Sequence, residues 1–192
     1  MDRQTRRSVH RVLNMNKRDK ALKAIKSDAS ERRKIFYHIS GHIVRLDATI
    51  STQARGLSEG TVAEGQHGMD LLTLALRDLT RCAGLLQDFE CDVDEALTSF
   101  DKLAPGHKSA RDVLMHFDDY VIGAGNLQTA LGKPATFSYE RGGPEGNAFL
   151  HVLNPDLSVN LTVAVRGAND LAVALIEIID KAISDLTPDP TV

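Results

Sequence analysis

Between Ser30 and Arg55, Ile35, Ile39, Ile43, Leu46 and Ile50 recur at three- and four-residue spacing, with His42 in the same series. A helix brings residues three and four apart onto one face, so this stretch predicts one long amphipathic helix with an apolar side to bury. Met69, Leu71, Leu72, Leu74, Leu76, Leu79, Leu85, Leu86 and Phe89 predict a second, more apolar helix. Between the two, GLSEGTVAEGQHG carries four glycines and reads as a loop. Two such helices cannot be stable alone and call for further layers, which makes the fold mainly α.

The rest of the chain supplies those layers. Asp92 or Asp94 is placed to cap a third helix ending near Leu103, with Val93, Ala96, Leu97 and Phe100 inward and Pro105-Gly106-His107 after it. Ser109 opens a fourth helix running to about Ile122, in which Ala110, Leu114, Phe117 and Val121 fall on one face. Ala135 to Tyr139 and Ala148 to Leu153 alternate as strands do, separated by the glycine-rich ERGGPEGN, and Leu157 to Leu161 is a candidate third strand. A final helix starts at Leu161 or Asn169 and ends near Leu186. The expected fold is a bundle of about five helices with a small β-hairpin before the last. Its divisions are a partly helical basic arm over 1–29, a helical domain over 30–187 and a disordered tail over 188–192.

With 42% hydrophobic residues in 192, the chain has enough apolar surface for one core. Two cysteines, Cys82 and Cys91, placed on a helix and at the start of the next, offer no disulfide framework. No stretch has the run of about 18 to 20 apolar residues a membrane span needs, so the expected address is the cytoplasm, with no membrane partner. The net charge of −3 conceals an asymmetry: residues 1–34 hold twelve Lys or Arg against four acids, and the remainder 11 against 22. Such a basic head suits nucleic-acid phosphates, and equally suits docking on the acidic body of its own or another chain.

One polar segment stands apart from core filling. On a continuous helix Arg111 and His116 lie about 140° apart, flanking the side opposite Leu114 and Phe117. Asp112, four residues before His116, can orient the ring or favour its charged form, whereas Arg111 has no acid three or four residues away. The run Arg111-Asp112-Val113-Leu114-Met115-His116 resembles the signature of the HEPN superfamily, an Arg, a polar residue, three further residues and a His on one helix of a small bundle. The resemblance implies a homodimer that brings two motifs together. In active members it implies a metal-independent ribonuclease, often a toxin or an anti-phage effector, and in others a fold kept for binding alone.

On that reading His116 is the acid/base, Arg111 holds the scissile phosphate, and Asp112 and Tyr120 support them. Arg3, Arg6, Arg7, Arg11, Lys17 and Arg18 of the basic head recruit RNA. No metal or other cofactor is called for, and an antitoxin or regulatory protein is an implied partner. A second Arg-x4-His run, Arg33 to His38, carries Lys34 in the polar position. In one toxin subgroup a Tyr follows the His by two residues, whereas here Tyr120 follows by four. Other patterns are weaker. His38 and His42 share a helical face but lack an accompanying HExxH glutamate, Asp118 and Asp119 read as a solvated pair, and ERGGPEGN lacks the Lys-Ser/Thr ending of a phosphate loop.

Overall fold

The computed structural model describes residues 17–59, 62–142 and 147–186. Helix α1 covers residues 17–26, α2 Ala29–Glu59, α3 Val62–Asp88, α4 Asp94–Leu103, α5 His107–Met115, α6 Phe117–Val121 and α7 Leu161–Asp185. Strands β1 (Thr136–Gly142), β2 (Asn147–Leu153) and β3 (Leu157–Asn160) precede α7. The domain is therefore mainly helical, as its periodicity predicts, with more helices than expected and a three-stranded sheet rather than a hairpin alone.

The core lies where α2, α3 and α7 meet. Phe36, Ile39, Ile43, Leu46 and Ile50 of α2, Leu72, Leu76, Leu79 and Leu86 of α3, and Leu171, Leu175 and Ile179 of α7 are all buried. The spacing read from the α2 segment thus marks its buried stripe, except that His42 is exposed and belongs to the outer side. Phe36 meets Phe89 edge-on at 5.6 Å, the geometry that the ring quadrupoles favour.

The predicted loop over 56–68 is instead mostly helical, with α2 running to Glu59 and α3 beginning at Val62. Glycine costs a helix only about 1 kcal/mol relative to alanine, which tertiary packing can outweigh. At Gly68, a Cβ would lie 2.9 Å from Gln53 Oε1. That glycine marks a close approach of α3 to α2, not a turn. The third helix also starts differently from the expectation. Val93 is its cap, with no side-chain cap bond; Asp94 lies in the first turn and accepts a hydrogen bond from Gln87 Nε2 at 2.6 Å. An acid there still interacts favourably with the helix dipole.

The strands lie in the order β1-β2-β3, all antiparallel, with Tyr139 opposite Leu150 and Leu150 opposite Val159. Alternation puts Ala148, Leu150, Val152 and Val159 on the buried face, against α7 and α5. Asn160 then caps α7, its side-chain oxygen accepting from the Val163 N–H at 3.1 Å. The connection from α6 to β1 folds back on itself at Gly123, which has φ +79° and a backbone so close to the next turn that a Cβ would sit 2.5 Å from Gly132 N. Both facts restrict the position to glycine.

The basic head divides. Arg3, Arg6, Arg7 and Arg11 lie outside the described residues, as does the predicted tail from 188. Lys17 and Arg18 open α1, which is tied to the body by ion pairs Arg18–Asp88 and Lys26–Glu90, the latter at 3.0 Å. Leu22 and Ile25 pack against the core from the same helix. Two of its cations thus pair with acids of the body. Among the described residues no helix is long and apolar enough to cross a membrane.

Candidate functional site

Helix α5 buries His107, Ala110 and Val113, three residues apart, leaving Arg111 and Asp112 half-buried on the adjoining side. The helix predicted to continue to Ile122 ends at Met115 and resumes at Phe117. His116, with φ −117° and ψ 35°, is at once the C-cap of α5 and the N-cap of α6. The residue types favour a break there, since a histidine at a helix C-terminus and acids in a first turn, here Asp118 and Asp119, both complement helix dipoles. The break also shifts the phase of the core face. Leu114 is only half-buried and Val121 is 42% exposed, while Tyr120 takes the inner position. The Phe117 side chain lies outside the described residues.

This geometry links three of the four residues singled out in the sequence. Tyr120 is buried, and its hydroxyl donates to Asp112 Oδ2 at 3.0 Å while accepting from the Leu127 N–H at 3.2 Å. The other carboxylate oxygen, Oδ1, lies 3.8 Å from His116 Nε2. The imidazole is 56% exposed, open to a substrate from outside. Burial, with a smaller opposing contribution from the Leu127 N–H, raises the Tyr120 pKa above its usual value, so the phenol stays a proton donor to Asp112. Tyr120 is thus a positioning residue beneath the surface. Arg111 precedes Asp112 on α5 and has no ion pair among the described residues. Arg and His no longer share one continuous helix, however, so the 140° separation does not describe their arrangement.

The second Arg-x4-His run has a different task. Arg33 Nη2 donates to the Leu186 carbonyl at 2.9 Å, satisfying an acceptor at the end of α7, while His38 is exposed. His42 is exposed as well, and among the described residues no three or more His, Cys, Asp or Glu side chains converge as metal ligands. Burial, reinforced by Asp78, pushes the Cys82 thiol up to about 11. That is the behaviour of a packing residue, not a nucleophile.

Sequence reasoning missed His107, read as part of a turn after the third helix. It is buried, edge-on to Phe100 at 4.9 Å, with Nδ1 2.8 Å from the Ala104 carbonyl. That contact places the neutral ring's proton on Nδ1. Nε2 has no hydrogen-bond partner among the described residues and lies 3.9 Å from Asp101 Oδ1, which also has none. Burial lowers the pKa of His107, outweighing the opposite pull of the Ala104 carbonyl and Asp101, and Lys108 and Arg77 act in the same sense as burial. The unfolded chain therefore binds more protons than the folded one between the depressed value and the ordinary 6.5. This contribution to stability is complete above pH 6.5 and is lost as pH falls through the folded-state value. The thermal midpoint is expected to drop between pH 7 and pH 5, and to drop less in His107→Asn, where no imidazole titrates. Equal drops in the two proteins would show that His107 does not report the pH change.

Fold and site together describe a helical domain with a small antiparallel sheet and a Tyr120-Asp112-His116 grouping at a helix break. No family model, curated protein or solved structure matches the chain.

Proposed function

We propose that the protein is a HEPN-like endoribonuclease of a toxin or phage-defence type, working as a dimer and without a catalytic metal. The observation that carries this reading is the line of side chains in which Tyr120 is hydrogen-bonded to Asp112, whose other oxygen faces the exposed His116 at 3.8 Å, with Arg111 next to Asp112 in the chain. A carboxylate fixed from below can orient the imidazole. His116 takes the proton of a ribose 2′-hydroxyl, whose oxygen attacks the adjacent phosphorus. The P–O5′ bond breaks, the departing oxygen takes up a proton from the imidazolium, and the products are a 2′,3′-cyclic phosphate and a 5′-hydroxyl. Arg111 stabilises the charge that builds on the non-bridging oxygens. Met115, Val121, Ile122, Leu127 and Leu131, near this site along the chain, are exposed apolar side chains that contact with a second copy would bury.

The test is incubation of the purified full chain with single-stranded and structured RNAs in excess chelator. Cleavage leaving cyclic phosphate ends is the expected result, and intact RNA across the set would overturn the enzyme reading. A second reading, a catalytically silent helical dimer that binds a protein or nucleic acid, is favoured by one feature. The Arg and His sit on either side of a helix break, unlike the uninterrupted helix of the resemblance. In that case RNA or a partner protein is bound and left unchanged.

A further inference from the structure

Away from the α5–α6 break, a groove of about 640 Å³ opens between α1, α2 and α3, a volume within the range of small-ligand sites. Three arginines line it, Arg18 from α1 and Arg77 and Arg81 from α3, together with His42 from α2 and the carboxylates Asp78 and Asp88. Beyond residue 34 the chain has twice as many acids as bases, so Arg77 and Arg81 one turn apart on α3 run against that balance, and Arg18 of the basic head joins them.

The carboxylates do not neutralise the site. Asp88 is taken by Arg18. Arg81 lies 3.5 Å from Asp78, looser than the roughly 2.7–2.9 Å of a charge-assisted hydrogen bond. Arg77 has no carboxylate partner among the described residues. Its Nη1 donates instead to the Thr80 hydroxyl at 3.2 Å, and that buried hydroxyl donates to the Arg77 carbonyl at 2.7 Å. The guanidinium is thereby held against its own helix with donors to spare, a preorganised group for a planar or tetrahedral oxyanion. One turn beyond Arg81, Gly84 leaves the groove floor open, with nothing within 4 Å of where a Cβ would stand.

We infer that this groove is a binding site for a phosphate-bearing ligand of nucleotide size, with Arg77 and Arg81 holding the phosphate and Thr80 fixing Arg77. Asp78, only loosely held by Arg81, is an acceptor for a hydroxyl or amino group of a sugar or base. A free nucleotide and a nucleic-acid phosphate offer the same chemistry.

The experiment is calorimetric titration of the full chain with inorganic phosphate, AMP, adenosine and a short single-stranded RNA with 2′-O-methyl riboses, which cannot be cleaved through the 2′-oxygen, competing with AMP or not. AMP is expected to bind and adenosine to fail, with affinity falling as salt rises. Arg77→Gln is expected to weaken AMP binding at least tenfold, Arg81→Gln several-fold, and Arg77→Lys less than Arg77→Gln. Competition by RNA would identify a nucleic-acid phosphate, and its absence a free nucleotide; either supports the site. His116→Ala should bind AMP as wild type does, which separates this groove from the proposed ribonuclease centre. If Arg77→Gln melts before titration, Arg81→Gln and Arg77→Lys give the answer. No binding by any phosphate-bearing probe, or binding indifferent to changes at Arg77 and Arg81, overturns the inference.

Discussion

Tyr120→Ala is expected to lower the unfolding free energy by about 3–5 kcal/mol, the range for truncating a large buried aromatic. Tyr120 is among the largest fully buried side chains, and it organises everything between α6 and β1. Its carbonyl accepts from Ala135 N at 3.0 Å and Gln128 Nε2 at 2.8 Å, and its hydroxyl joins Asp112 to Leu127. A Cβ at Gly125 would strike its ring, so the loop closes tightly over it. Truncation leaves a cavity and orphans a half-buried carboxylate. Tyr120→Phe keeps the ring and removes only the hydroxyl, for a loss of about 1–2 kcal/mol. Denaturant unfolding at pH 7 distinguishes the two. Equal effects from Phe and Ala would mean that the ring's packing matters little, contrary to the burial.

The second large effect concerns chemistry. If RNA is cleaved, His116→Ala is expected to reduce the rate by about 10²–10⁴-fold, the contribution of a positioned general acid/base. Its stability should stay within about 0.5 kcal/mol of wild type, because the side chain is more than half exposed. Asp112→Asn should cause a smaller loss, because a neutral amide replaces the carboxylate that faces the ring at 3.8 Å. Tyr120→Phe provides a link between the two predictions, since it retains the core and frees Asp112 to turn from His116. A wild-type cleavage rate in His116→Ala at matched folding would remove His116 from the mechanism.

The contrast between Ile43 and Tyr120 indicates how far the sequence could be read. Ile43 belongs to a periodic apolar series long enough to define its own buried face, and that face is where the core lies. The fourth helix offered a shorter series, and a break of one residue at His116 was enough to move the buried role from Val121 to Tyr120. Asp112 and His116 were legible as a pair because helical spacing is local and survives in the turn at the break. The partnership of Tyr120 with Leu127 was not, for it depends on a loop folding back. Nor could Arg77 be recognised: on its own helix it is one polar residue among many, and only the packing of α1 and α2 against α3 makes a groove of it.

The sequence by itself determined the helical class, the stripe that α2 buries, the apolar character of α3, the alternating strands and the split between a basic head and an acidic body, because each follows from the local geometry of helix and strand and from charge. Tertiary structure alone decided that the described part of a glycine-rich run is helical, that Arg18 turns to Asp88, that His107 is sealed inside and that three arginines face one groove. Those outcomes depend on which surfaces meet across long stretches of chain, where burial and long-range pairing outweigh local propensity.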